Sequence, residues 1–281
     1  FEPTAQGHRL NYARTVIDAV HPLAGEVIFC TQKSTITSRE YAVNLRQLPE
    51  NTNIDLFRSY GKTSVIGSQI YFAQMYLAAI KRLQPDYVYV PTADGLIQLI
   101  GWLRILSGNR NKAPATEMLV MRGHNYLGEN SSWKKQLKKR WAVAGIRASG
   151  CSKLHALDNQ LFAMLSNCNF PDTQLSLMPE TRNTINFPDK QLARKEFGLE
   201  PENLVVGFFG RRDTRKGFDL LLRAFSRLSN PKAKLLILGQ EDSSTADLYS
   251  AITNGRLLDR IVSRNGYIPT QELLAGMAAA D

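Results

Sequence analysis

Cysteine is scarce: three in 281 residues, Cys30, Cys151 and Cys168, widely spaced and odd in number. No C-x-x-C occurs, so neither a disulfide framework nor a zinc site is indicated, and the usage suits a reducing compartment. No D-x-D occurs either. No G-x-G-x-x-G follows an apolar run, which argues against a dinucleotide-dependent dehydrogenase. Long hydrophobic runs are missing as well. The longest helical apolar stretch, "LIQLIGWLRIL" at 96–106, is too short to span a bilayer and carries Gln98 and Arg104. Nothing repeats at a solenoid period, no segment is low-complexity, and no nucleic-acid-binding motif appears.

What is there is a basic chain with enough apolar material for two cores. Hydrophobic residues make up 43% and charged residues 21%, with 35 basic against 25 acidic side chains and a formal net charge of +10. Such an excess serves solubility or an anionic partner: a ligand, a membrane surface or nucleic acid. The chain opens "FEPTAQGHRL" and closes "LLAGMAAAD". The expectation is a piece of a longer protein, with a first strand before Phe1 and a further strand after Asp281.

Short apolar runs alternate with helical patterns. Strands are predicted at 26–30, 87–90, 117–121, 146–149, 175–178, 204–209 and 234–239. Helices are predicted at 10–20, 69–82, 94–107, 131–143, 153–165, 217–228 and 245–253. The strand runs are continuously apolar, as a parallel sheet covered on both faces requires. The fold class expected is therefore α/β, with two doubly wound Rossmann-like domains, 1–182 and 183–281, divided at the polar stretch "PETRNTINFPDK". A ligand cleft would lie between them.

One stretch stands apart. "FFGRRDTRKGFDLLLRAF", 208–225, crowds Arg211, Arg212, Arg215 and Lys216 into a turn flanked by Gly210 and Gly217. An apolar strand precedes the turn. A helix follows, with Phe218, Leu221, Leu222, Phe225 and Leu228 on one face. Basic side chains at a helix N-terminus beyond a strand make a phosphate site, although a solvated basic loop is the plainer alternative.

These residues resemble the donor-site motif of the family 4, group 1 retaining nucleotide-sugar glycosyltransferases, roughly G-R-x-x-x-x-K-G-x-x-x-L-x-x-A-F. Gly210, Arg211, Lys216, Gly217, Leu221, Ala224 and Phe225 fall in place. "AKLLILGQ" resembles the family's next strand, and "RIVSRNGYIPTQELLAGMAAAD" its later motif, at Gly266, Glu272, Leu273, Ala280 and Asp281. The resemblance implies a GT-B fold: an N-terminal acceptor-side domain and a truncated C-terminal donor domain facing across a cleft. It implies transfer of a sugar from a nucleotide diphosphate donor to an acceptor hydroxyl with retention, without metal or cofactor, in cell-surface polysaccharide or glycolipid synthesis. Arg211 and Lys216 would hold the diphosphate, Gly210 and Gly217 would let the backbone approach it, and Tyr267 and Ile268 would lie along the nucleobase. The family's glutamate pair would follow Asp281, so the donor site would be incomplete and the piece inactive. An epimerase on the same fold, or a basic nucleic-acid- or membrane-binding protein, is the alternative.

In the first domain, His124 follows a predicted strand and matches the family's active-site histidine; an ordinary loop histidine is the other reading. Gly7 matches a glycine that brings backbone amides to the donor or acceptor, but where the family has a glycine pair, this chain has Gly7-His8. Arg122 is a further candidate for the anion site. Finally, "SSWKKQLKKRWAVAG", 131–145, sets Trp133, Leu137 and Trp141 in one stripe beside Lys134, Lys135, Lys138 and Lys139. The stripe is either core or an anionic-membrane contact at 131–143, the latter placing a cytoplasmic protein peripherally on the inner face.

Overall fold

The computed structural model describes residues 1–5, 9–61, 64–108, 114–122, 132–168, 170–179, 186–253 and 257–281. The chain divides into two compact units, Phe1–Thr181 and Arg182–Asp281. Every strand pair in both is parallel.

The first unit runs α1 (Arg9–Val20), β1 (Val27–Gln32), α2 (Lys33–Ile36), α3 (Arg39–Asn44), β2 (Thr52–Phe57), α4 (Val65–Leu83), β3 (Tyr87–Val90), α5 (Asp94–Leu106), β4 (Ala115–Val120), α6 (Trp133–Ala148), β5 (Lys153–Ala156), α7 (Asn159–Ser166) and β6 (Leu175–Leu177). β1 pairs with β2, and β3-β4-β5-β6 form a second sheet. Phe1 and Glu2 lie between the two sheets: the Glu2 amide donates to Cys30 O at 3.1 Å, and Phe1 N to Tyr89 O at 2.8 Å. The main core joins Val90, Met118, Val120, Leu154 and Leu175 of the sheet to Ala73, Ile97, Ile100, Ile146, Leu161 and Leu165 of α4 to α7.

Two expectations are corrected here. The run 146–149 is not a strand; it is the last turn of α6, with Ile146 buried, because four apolar residues cannot by themselves distinguish a strand from a buried helix end. The stretch 153–165 is not one helix: β5 precedes α7. Its polar His155 is buried because Glu117 and Ser176 on the neighbouring strands bond its ring nitrogens at 2.7 and 2.6 Å.

The second unit runs α8 (Lys190–Glu196), β7 (Leu204–Phe209), α9 (Phe218–Ser226), β8 (Ala233–Leu238), α10 (Ser243–Thr253), β9 (Ile261–Arg264) and α11 (Thr270–Ala279), with sheet order β7-β8-β9. β8 is apolar throughout because both of its faces are covered. Leu236 and Leu238 pack with Phe197 and with Ala275 and Ala279 of α11; Leu235 and Ile237 pack with Phe218, Leu222 and Phe225 of α9. Asp281 ties the unit together, bonding Lys190 at 2.6 Å, Arg194 at 2.8 Å and the Val205 amide at 2.8 Å.

Candidate functional site

β7, β8 and β9 end level, since Phe209 pairs with Leu238 and Leu238 with Arg264. A glycine with positive φ follows each: Gly210 at 117°, Gly239 at 148° and Gly266 at 105°. The ladder continues past the sheet edge. Gly210 N donates to Leu238 O at 2.8 Å, Arg212 N to Gln240 O at 3.0 Å, Gly239 N to Arg264 O at 3.1 Å, and Glu241 N to Asn265 Oδ1 at 2.8 Å. The first two loops touch so closely that a Cβ on Gly239 would lie 2.0 Å from Gly210 O. Only glycine fits there.

The basic turn is built on this edge. Asp213 accepts from Lys216 N at 2.9 Å and starts a 3-10 turn, Thr214–Lys216. Gly217, at φ 71°, ends that turn and begins α9. The fold-back brings the Lys216 ammonium over Gly210, where a Cβ would sit 2.5 Å from Nζ. Among the described residues Lys216 has no ion-pair partner. Gly210, Lys216 and Gly217 are therefore gathered in one turn at the carboxyl edge of the sheet.

The four cations of the turn have different surroundings. Arg211 is 61% exposed at its side chain and donates through Nε to Asp242 Oδ2 at 2.6 Å; Nη2 reaches the same oxygen. Asp242 also accepts from the Ser244 amide at 2.9 Å, at the start of α10. Those Ser244 hydrogen bonds first, and Arg211 next, hold its carboxyl down at about 2. Arg215 is exposed, 3.6 Å from Asp213.

Arg212, which has no role assigned from the sequence, is turned inward. It is 2% exposed, donates to Ser263 Oγ at 2.8 Å and to Arg264 O at 3.2 Å, and lies over the Tyr249 ring at 5.4 Å. Burial lowers its pKa, and Nε has no partner. Loops turned inward by the extended ladder give its guanidinium carbonyl and hydroxyl acceptors in place of water.

Tyr267 and Ile268 follow Gly266 in the loop after β9. Ile268 is partly buried against the Phe197–Ala275 core, and Arg264, the last residue of β9, pairs with Glu272 at 2.7 Å. Gly7 and His124, with His8, lie outside the described residues. Asp94, at the start of α5, accepts from the Met121 and Arg122 amides at 2.9 and 2.8 Å and so fixes the chain just before Gly123-His124. Glu2, fully buried, bonds Arg9 at 3.2 Å and Thr92, and burial raises its pKa. Sequence reasoning passed over Asp94, Glu2 and the pairing role of Asp242. An acidic residue opening a helix after a strand was the available signal for Asp94 and Asp242.

On α6 the stripe is outward. Trp133, Leu137 and Trp141 are 69%, 59% and 45% exposed. The helix is buried only at Ala142, Gly145 and Ile146. The core reading is thus corrected for Trp133 and Leu137, whose turns lie beyond the packed half, whereas Trp141 stacks on Trp102 at 5.2 Å. No helix among the described residues is long and apolar enough to cross a membrane.

Comparison with known proteins follows the same division. The family model of glycosyl transferases group 1 matches residues 189–277. A D-inositol 3-phosphate glycosyltransferase of Mycobacteroides abscessus is 39% identical over 83 residues, 30% of this chain and 18% of its own length. The chain thus spans under a fifth of the curated relatives it matches. Over 99% of the chain, the structure resembles Anabaena HepE in complex with UDP-glucose, with a TM-score of 0.62 at 14% identity and 70% of that chain covered. It also resembles the lipopolysaccharide outer core galactosyltransferase WaaB in its apo form, with a TM-score of 0.52 at 15% identity, again over 70% of that chain. At such identities the likeness is one of fold. Parallel α/β units with GT-B neighbours give the fold, and the second unit, from Asp189 to Met277, is similar in sequence to the glycosyl transferases of group 1.

Proposed function

We propose that the chain is part of a metal-independent glycosyltransferase that takes a sugar from a nucleotide diphosphate donor and passes it, with retention, to an acceptor hydroxyl. The second unit binds the donor and the first the acceptor. The observation that carries this reading is the turn 210–217: an ammonium without an ion-pair partner among the described residues, folded over a glycine, beside a largely exposed guanidinium gripped by Asp242. Negative charge grows on a nucleoside diphosphate as the sugar–oxygen bond breaks. Cations fixed at that point stabilise the transition state more than the ground state. The leaving phosphate, held there, accepts the acceptor's proton on the same face. Backbone at Gly210, Gly217 and Gly7 approaches the phosphates, Tyr267 and Ile268 line the base, and His124 bonds a hydroxyl of the transferred sugar. The UDP and UDP-glucose complexes are those of the Anabaena neighbour, and they favour a nucleotide-sugar donor here.

The acceptor belongs to a cell-surface polysaccharide or glycolipid, and α6 rests on the anionic inner face of the membrane. Its exposed Trp133, Leu137 and Trp141 beside a run of lysines have the composition of an interfacial helix.

Full-length protein with Arg211→Ala and Lys216→Ala tests the donor site. The thermal shift given by nucleoside diphosphates should vanish, and kcat/KM should fall about a hundredfold or more. Normal donor use by that variant would sink the assignment.

A further inference from the structure

A second basic feature lies on the first unit, apart from the turn 210–217. An open groove of about 600 Å³ runs along α6 to the end of α7, lined by Gln136, Lys139, Arg140, Val143, Arg147 and Asn167. Three of these six are cations and none is a carboxylate. Among the described residues Lys139 and Arg140 have no ion-pair partner. Arg147 is braced, donating to Cys168 O at 2.6 Å and lying over the Phe170 ring at 5.7 Å. At about 100° per residue, the groove face is roughly a quarter-turn from the Trp133–Leu137–Trp141 stripe, with Arg140 between the two. The whole helix holds six basic residues and no acidic one.

Like charges around one concavity repel, and a group bearing close to two negative charges relieves them all at once. A phosphomonoester supplies that charge and three acceptor oxygens; a phosphodiester supplies one charge and fewer. Gln136 and Asn167 offer neutral hydrogen bonds, and Val143 offers a short apolar wall. With the stripe beside it entering the interface, the groove opens where a lipid headgroup sits.

We propose that this groove binds the phosphomonoester headgroup of an anionic lipid. The proposal rests on the membrane-facing reading of α6. It separates headgroup recognition, by Lys139, Arg140 and Arg147, from simple surface attraction by Lys134, Lys135 and Lys138.

Vesicle flotation with the intact protein tests it. Phosphatidic acid vesicles should bind about tenfold more tightly than phosphatidylglycerol vesicles of equal charge. Lys139→Gln combined with Arg140→Gln should erase that preference and leave phosphatidylglycerol binding in place. Equal binding of the wild type to both vesicles, or a preference that survives in the double variant, overturns the proposal. If neither vesicle binds, the membrane reading is what fails, and calorimetry with glycerol 3-phosphate then decides the groove. Heat that disappears in the double variant keeps it as a phosphate site; heat that is unchanged removes it.

Discussion

At Arg212 the chain turns a cation inward, and its guanidinium bonds Ser263 and the Arg264 carbonyl at the end of β9. Loss of that group leaves buried acceptors unpaired. Arg212→Ala should cost about 3 kcal/mol in urea denaturation, and Arg212→Lys should not restore it, because both bonds leave Nη2 at the far end of the longer arginine side chain. Arg215→Ala, at an exposed and weakly paired site, should stay within about 0.5 kcal/mol of wild type. Asp242 gives a pH dependence of definite sign. Its carboxyl is depressed from 3.8 to about 2, so its contribution is complete above pH 4 and fades as pH falls towards 2. Asp281 is shifted the same way, chiefly by Lys190. Thermal melts from pH 7 to pH 3 should show stability falling at the acid end. Asp242→Asn, which keeps the acceptor for the Ser244 amide, should flatten that fall.

Among the elements, β7 and α9 were legible because each carries one strong pattern: a continuous apolar run, then a stripe at helical spacing. β2, "TNIDLF", was not, for a physical reason. It is paired on one side only, Ile54 and Leu56 are exposed, and Thr52, Asn53 and Asp55 are polar, so only Phe57 of its residues packs on neighbouring rings and no apolar run marks it. β5 was hidden because its polar His155 is satisfied by neighbours that only the sheet brings near. In the site, the glycines and cations were visible from spacing. Which arginine faces inward was not, because that depends on loops 210–212 and 239–241 zipping together. Gly239→Ala should show this dependence, costing about 2–4 kcal/mol through its clash with Gly210 O. On α6 the expected pattern is the reverse of a core helix. Trp133→Ser and Leu137→Ser should leave the melting temperature nearly unchanged while abolishing vesicle flotation, whereas Leu222→Ala on α9 should cost about 2–5 kcal/mol.

For the whole molecule, a net charge of +10 acts at long range on any anionic ligand. Raising ionic strength from about 0.01 to 0.15 M shortens the screening length from about 30 to about 8 Å. Association of a nucleoside diphosphate should slow accordingly in stopped-flow measurements, while dissociation, governed by direct contacts in the turn, changes little. The exposed start of α6 carries one more consequence, and it concerns time. From Ser132 to Lys138 no side chain is buried at all but a set of backbone bonds holds the helix, and two turns of helix without packing are marginal in water. That end of the helix should open and close many times within the life of the folded protein. Its amides then act as a clock, exchanging quickly in free solution and slowing by orders of magnitude once a surface covers the stripe.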